Sequence, residues 1–235
     1  MDWALASNEG ILFLLRWAHF IFGVIWIGIL YYFNFVQMPF FGETDAATKS
    51  NAIQKLVPRA LWWFRWAAMW TWVSGLVYLS MKGSSLGAGM FTSSWGISIL
   101  TGAALGTIMW ANVWFVIWPN QKILIQSTTQ VAQGQAALPN AAAAGNRAAV
   151  ASRTNTLFSM PLLFFMGAAS HLPFQVSETS NTVAYWGAFA VIALLIEVNA
   201  LKAPALKGPL KTPKGVIGAG LALALLIYVL AEVIL

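Results

Sequence analysis

The sequence predicts an all-α polytopic membrane protein, a single domain over residues 1–235 folded as a bundle of six transmembrane helices. Three observations predict it. Hydrophobic residues make up 59% of the chain and charged residues only 9%, against roughly 25% charged in a soluble domain. Six apolar segments approach the roughly 20 residues needed to cross hydrocarbon. None shows the short alternating pattern of a membrane β-strand, and at these lengths only a helix satisfies its own backbone in lipid.

The first segment covers residues 10–34. Asp2 and Glu9 precede it instead of a basic segment, and it is too long for a signal core, so it reads as a span. Residues 44–56 suit a short interfacial helix. The second segment, 60–81, opens with ALWWFRWAAMWTW, which puts Trp62, Trp66 and Trp70 on one helical stripe. Trp62, Trp63 and Trp118 fit an interfacial belt. Trp70 and Trp72 lie deeper, where packing or a cofactor wall would explain them, and Arg65 is expected to snorkel.

The third segment covers 95–118. The connection 119–154 is rich in Ala and Gln and reads as helical extensions broken near Pro139-Asn140. The fourth segment, 155–174, contains Pro161, which predicts a kink. The fifth and sixth cover 182–201 and 214–234. Glu197 and Asn199 near the end of the fifth suit a proton path or pairing with Lys202. Asn34 and Asn112 suit interhelical hydrogen bonds.

Charge sets the orientation. Lys49, Lys55 and Arg59 lie in the first connection, Lys122, Arg147 and Arg153 in the third, and Lys202, Lys207, Lys211 and Lys214 in the fifth. Lys82 and Glu178 alone mark the other side. The positive-inside rule places the basic connections, including 119–154, in the cytoplasm. Both termini then face outward, to the periplasm of a bacterial inner membrane. No basic run points to nucleic acid. The absence of cysteine excludes disulfides, thiolate metal sites and a covalently attached c-type haem.

Only two histidines are present, His19 and His171. This topology brings both to the outer side. Gly23 follows His19 by four residues and Gly167 precedes His171 by four, so each shares its histidine's helix face one turn inward. A glycine there leaves a recess where a porphyrin can approach the backbone. Arg16, three residues outward of His19, could pair with a propionate. Together these residues predict a non-covalent b-type haem whose iron takes His19 and His171 as metal ligands. Another reading stands beside it. Small residues at this spacing also serve helix packing, an intramembrane histidine can hydrogen-bond a neighbouring helix, and Arg16 can snorkel. Depth is a tension: by helix rise His19 lies about 13 Å from the start of its span and His171 about 5 Å from the end of its own.

Three stretches carry a resemblance: RWAHFIFGVIWIGILYYFNFVQ (16–37), NVWFVIWPNQK (112–122) and NTLFSMPLLFFMGAASHLPF (155–174). In matching order across about the first 175 residues, they resemble the membrane domain of the cytochrome-c-linked urate oxidases, also called urate hydroxylases. His19, Trp26, Gly28, Asn112, Trp114, Trp118, Pro119, Asn120, Gln121, Asn155, Pro161 and His171 fall on the matching motifs. Trp26 and Asn112 thereby join the candidate cofactor-binding set. The resemblance implies oxidation of urate with electrons passed to a cytochrome c. The sequence lacks the family's C-terminal cytochrome c, and Ala169-Ser170-His171-Leu172-Pro173 stands where the family reads S-N-H-Y-P.

The expectation is a haem-binding membrane redox subunit that passes electrons towards a separate outer-face cytochrome c or other membrane redox subunits, within an oligomer or complex. Its alternatives are a urate-oxidising enzyme using that separate cytochrome c, and a non-catalytic structural subunit of a larger membrane assembly.

Overall fold

The computed structural model describes residues 3–177 and 180–235. Asp2 and Glu178, used above for the leader and for the charge pattern, lie outside them. The described residues are helical, with no strand among them. We number the helices α1 (Asn8–Glu43), α2 (Ala46–Lys55), α3 (Val57–Leu86), α4 (Ser94–Ala132), α5 (Ala141–His171), α6 (Thr182–Lys202) and α7 (Pro213–Ile234).

Local chemistry sets the boundaries. Side-chain oxygens of Ser7, Asp45, Ser93, Asn181 and Thr212 accept from first-turn amides and start α1, α2, α4, α6 and α7. Gly87 and Gly134 adopt positive φ where α3 and α4 end. The turn between α4 and α5 falls next to Pro139, as its composition predicts, and the Leu138 amide donates to Ser127 Oγ at 3.0 Å to close it.

Four helices, α1, α4, α6 and α7, are long and apolar enough to cross a membrane. Helices α3 and α5, of 30 and 31 residues, have the length but not the apolarity. Arg65 and Lys82 interrupt α3, and the run Ser152-Arg153-Thr154-Asn155-Thr156 interrupts α5. That run is not exposed. Every residue of α5 from Val150 to Ser159 is buried, because α5 is the axis on which the other elements pack, chiefly α4 and α7, with α6 and α1 beside them. Glycines permit the close approach. A Cβ on Gly220 of α7 would lie 2.8 Å from the Leu157 carbonyl oxygen, and one on Gly102 of α4 would lie 2.9 Å from Met166.

The other principal packing joins α1 to α3. Helix α3 reaches α4 through aromatic pairs. Trp72 stacks on Trp110 at 4.2 Å between ring centres and donates to Thr107, and Trp66 meets Trp114 edge-on at 5.5 Å. Trp72 therefore packs within its own chain. Trp70 is half-exposed and lines a groove with Phe22, Ile25, Trp62, Trp63, Trp66 and Ala67. Arg65 does not simply reach for the headgroups. Its guanidinium lies over the Trp118 ring at 4.0 Å, with Trp114 and Trp66 also within cation–π range.

Two helices contain π turns, at Tyr32–Gln37 in α1 and Asn112–Ile117 in α4. Each ends two residues before a proline, Pro39 or Pro119. A proline ring clashes with the carbonyl four residues back, here on Phe35 or Phe115, and supplies no amide. The wider turn absorbs both defects.

Candidate functional site

The π turns place two asparagines against the polar run of α5. Asn34 Nδ2 donates to Ser152 Oγ at 2.8 Å and to the Leu30 carbonyl at 2.8 Å. Asn112 Nδ2 donates to Asn155 Oδ1 at 2.9 Å and to Glu197 Oε2 at 3.0 Å, while Asn155 Nδ2 donates to the Met109 carbonyl at 2.9 Å. Three helices thus meet on one amide–carboxyl chain. Both asparagines make the interhelical bonds expected of them. Asn112 is engaged in this chain near the middle of α4, and Glu197 is tied to it.

The same run carries Arg153, one of the largest fully buried side chains at 2% exposure. Its Nη2 lies 3.3 Å from Met38 Sδ, and its Nε and Nη1 have no partner.

The histidines lie towards the end of the bundle where α1 begins. His19 faces α3. Ser74 Oγ is 3.3 Å from its Nδ1 and already points its own proton at the Trp70 carbonyl, 2.6 Å away. The Thr71 carbonyl lies 3.0 Å from the same Oγ, and the Thr71 backbone is a further partner of the ring. In the tautomer that carries its proton on Nδ1, His19 would donate to Ser74 and keep a lone pair on Nε2. Gly75 makes room for the ring, since a Cβ there would sit 3.1 Å from His19 Cε1.

His171 ends α5 and is exposed. Among the described residues, no hydrogen bond or ring contact joins it to His19. The two are nonetheless level. Helices α1 and α5 are pinned together by Tyr31 OH and Ser159 Oγ at 2.9 Å. From 31 back to 19 on α1, and from 159 on to 171 on α5, the chain rises through the same number of residues, about 18 Å in each case. Gly23 and Gly167 are level by the same reckoning. Measured from this contact instead of from the ends of the apolar runs, the unequal depths disappear.

A Cβ on Gly167 would meet nothing within 4 Å, and one on Gly23 only Thr71 Cγ2 at 3.9 Å. Trp26, seven residues from His19, is buried at 3% exposure with an unpartnered Nε1. Arg16 is exposed, with its guanidinium 5.5 Å from the centre of the Tyr78 ring on α3. The structure thus brings His19, Gly23 and Arg16 against α3, and sets Gly167 and His171 on an open face of α5.

Sequence reasoning missed Ser74 and Gly75, the seat of His19, and it missed Arg153 and Ser152. The last two had a signal: five consecutive polar residues, SRTNT, adjoining an apolar segment. The seat had none, because Ser and Gly on a tryptophan-rich helix look like packing residues.

Neither a curated protein nor a solved structure shows significant similarity to this chain. A family does match. The family described as Urate oxidase N-terminal aligns with residues 81–227, well over half of the chain. The matched part contains NVWFVIWPNQK and NTLFSMPLLFFMGAASHLPF, and hence Asn112, Asn155, Gly167, His171 and Glu197. It starts beyond Arg16, His19, Gly23 and Trp26. With its long helices gathered on α5 and an aligned region spanning all of α4, α5 and α6, the chain belongs to the urate oxidase N-terminal family.

Proposed function

We propose that this protein is the membrane-embedded oxidoreductase module of a urate-oxidising system, holding a b-type haem between α1 and α5 and delivering electrons to a separate cytochrome c on the outer face. Urate as the substrate class follows from the family. One observation carries the cofactor: Ser74 Oγ seats His19 at Nδ1, which in the Nδ1–H tautomer leaves Nε2 to ligate, level with the exposed His171. A histidine that ligates a metal generally donates its other ring N–H to a protein acceptor, which fixes its tautomer and orientation. The residues present fit the group in two further ways. Gly167 leaves its face of α5 bare, and Gly23, at the same level one turn inward, meets only Thr71 Cγ2 at 3.9 Å. Arg16 lies one turn to the other side, where a propionate would be. A haem there would accept electrons one at a time and pass them on. His19 and His171 would hold it, and Trp26 would wall it on the inner side.

In this reading all six long helices cross the bilayer, the polar run of α5 being shielded by its neighbours. The basic connections face the cytoplasm and both termini the periplasm of a bacterial inner membrane. Substrate electrons then leave on the side where a soluble cytochrome c is found.

The test is a reduced-minus-oxidised absorption spectrum of the purified protein, with His19→Ala and His171→Ala in parallel, followed by urate turnover with added ferric cytochrome c. The expected result is a b-type spectrum abolished by either change, and cytochrome c reduction that depends on urate. A colourless protein that co-purifies with other membrane subunits would instead establish the structural-subunit alternative.

A further inference from the structure

Nine buried side-chain polar atoms among the described residues have no hydrogen-bond partner, and four of them gather at one place: Asn34 Oδ1, Gln37 Oε1, and Arg153 Nε and Nη1. Met38, four residues beyond Asn34, shares its face of α1, and Gln37 directly precedes Met38 at the end of the π turn. Arg153 touches Met38, and its neighbour Ser152 bonds Asn34. Counting inward from the Tyr31–Ser159 bond, Gln37 and Arg153 are level. The four atoms therefore face a common node beside the π turn, on the opposite side of that bond from the histidines.

The chemistry of this node is specific. A guanidinium does not lose its proton in a protein, so Arg153 is a cation in the interior. Among the described residues no carboxylate pairs with it. A buried charge left unpaired is strongly unfavourable, and the sulfur of Met38 is only a weak acceptor. An anion is required. The orientation of Asn34 is fixed, because the Leu30 carbonyl and Ser152 take both protons of its Nδ2 and leave Oδ1 as an acceptor. The occupant must therefore also carry a hydrogen-bond donor, which excludes simple halides. We infer that the Arg153–Asn34–Gln37 node binds a monoanion edged with both carbonyl oxygens and N–H groups, and that this anion is urate.

This assignment rests on the function proposed above and names its substrate site. Arg153 meets the charge-bearing edge, Asn34 and Gln37 receive N–H groups, and the histidines stand about 22 Å or more away along the helices. Substrate is thus held towards one end of the bundle and electrons leave from the other, with Tyr31 and Trp26 of α1 between them. Entry requires α1 and α5 to part locally at the π turn.

The experiment is equilibrium dialysis and thermal melting of the purified full chain with urate, and separately with inorganic phosphate. Arg153→Met and Gln37→Leu are the variants. Urate is expected to raise the melting temperature of the wild type and not of Arg153→Met. Affinity should fall at least tenfold in Arg153→Met and at least threefold in Gln37→Leu. Without ligand Arg153→Met should melt no lower than wild type, since an apolar side chain replaces an unpaired charge. If that variant fails to fold, Gln37→Leu, which keeps the charge, decides. Equal urate affinity in wild type and variants overturns the inference, as does an Arg153-dependent response to phosphate but not to urate. Urate-driven cytochrome c reduction that survives Arg153→Met leaves the proposed function standing and removes this site. Arg153-dependent urate binding without cytochrome c reduction does the reverse.

Discussion

Single side chains in this protein do work that their residue type alone does not announce. Asn155 is the centre of the α4–α5–α6 junction, its Nδ2 donating to the Met109 carbonyl and its Oδ1 accepting from Asn112 Nδ2. Asn155→Ala leaves two buried groups unpaired and should cost about 1–3 kcal/mol, measured by unfolding in mixed detergent. Asp45 is an opposite case, fully at the surface. Hydrogen bonds from the Thr48 hydroxyl and then the Thr48 and Ala47 amides hold its carboxyl below the usual carboxylate range. Because the folded value is depressed, its contribution is complete above the ordinary carboxylate range and is lost as pH falls below it. Hydrogen exchange corrected for intrinsic rate should show the first turn of α2 losing protection on acidification, with Asp45→Asn abolishing that dependence. The two asparagine contacts were legible in the sequence, since a carboxamide in an apolar segment needs a partner. The partners themselves were not, because they depend on which faces of α5 meet α1 and α4.

At the scale of elements, α5 shows why hydropathy alone misjudges a helix. Its polar run lowers its apolarity below that of a typical span, yet the run is buried because α4, α7, α6 and α1 surround it. The glycines that allow this are the sensitive points. Gly220→Ala would bring a methyl within 2.8 Å of the Leu157 carbonyl and 3.0 Å of Met160 Cβ. The helices would have to separate, at a cost of about 1–3 kcal/mol, read as a lower melting temperature. Helix positions were readable from the sequence: the apolar runs and the break at Pro139. The π turns were not read, although both share an asparagine followed within seven residues by a proline.

For the whole molecule, two packing groups meet: α1 with α3, and α4, α6 and α7 with α5. Tyr31–Ser159 and the tryptophan pairs join them. The candidate cofactor ligands are divided between the groups, His19 in one and His171 in the other. If a macrocycle is shared as proposed, it adds a further link between them, and its removal should lower the melting temperature by several degrees. Orientation is testable separately. Alkaline phosphatase fused after Leu235 should be active and a fusion within residues 133–140 inactive if the basic connections face the cytoplasm. The sequence made the charge asymmetry plain because lysines and arginines count the same wherever the helices pack. It could not show how α1 and α5 meet, since that register depends on two side chains distant in sequence.

The π turns have one more consequence. Each is geometrically equivalent to an α-helix that has gained a residue. Excising Val36 would let the bulge anneal to ordinary α turns, and because the wider turn had already taken up that residue the segments on either side would stay in phase. An excision outside the bulge finds no such slack: everything beyond it would swivel by about 100°, the angle one residue subtends in a helix, and Met38 would turn away from Arg153. Chain length is therefore forgiving inside the bulge and strict on either side of it, so a one-residue deletion before Tyr32 should be more damaging than the loss of Val36.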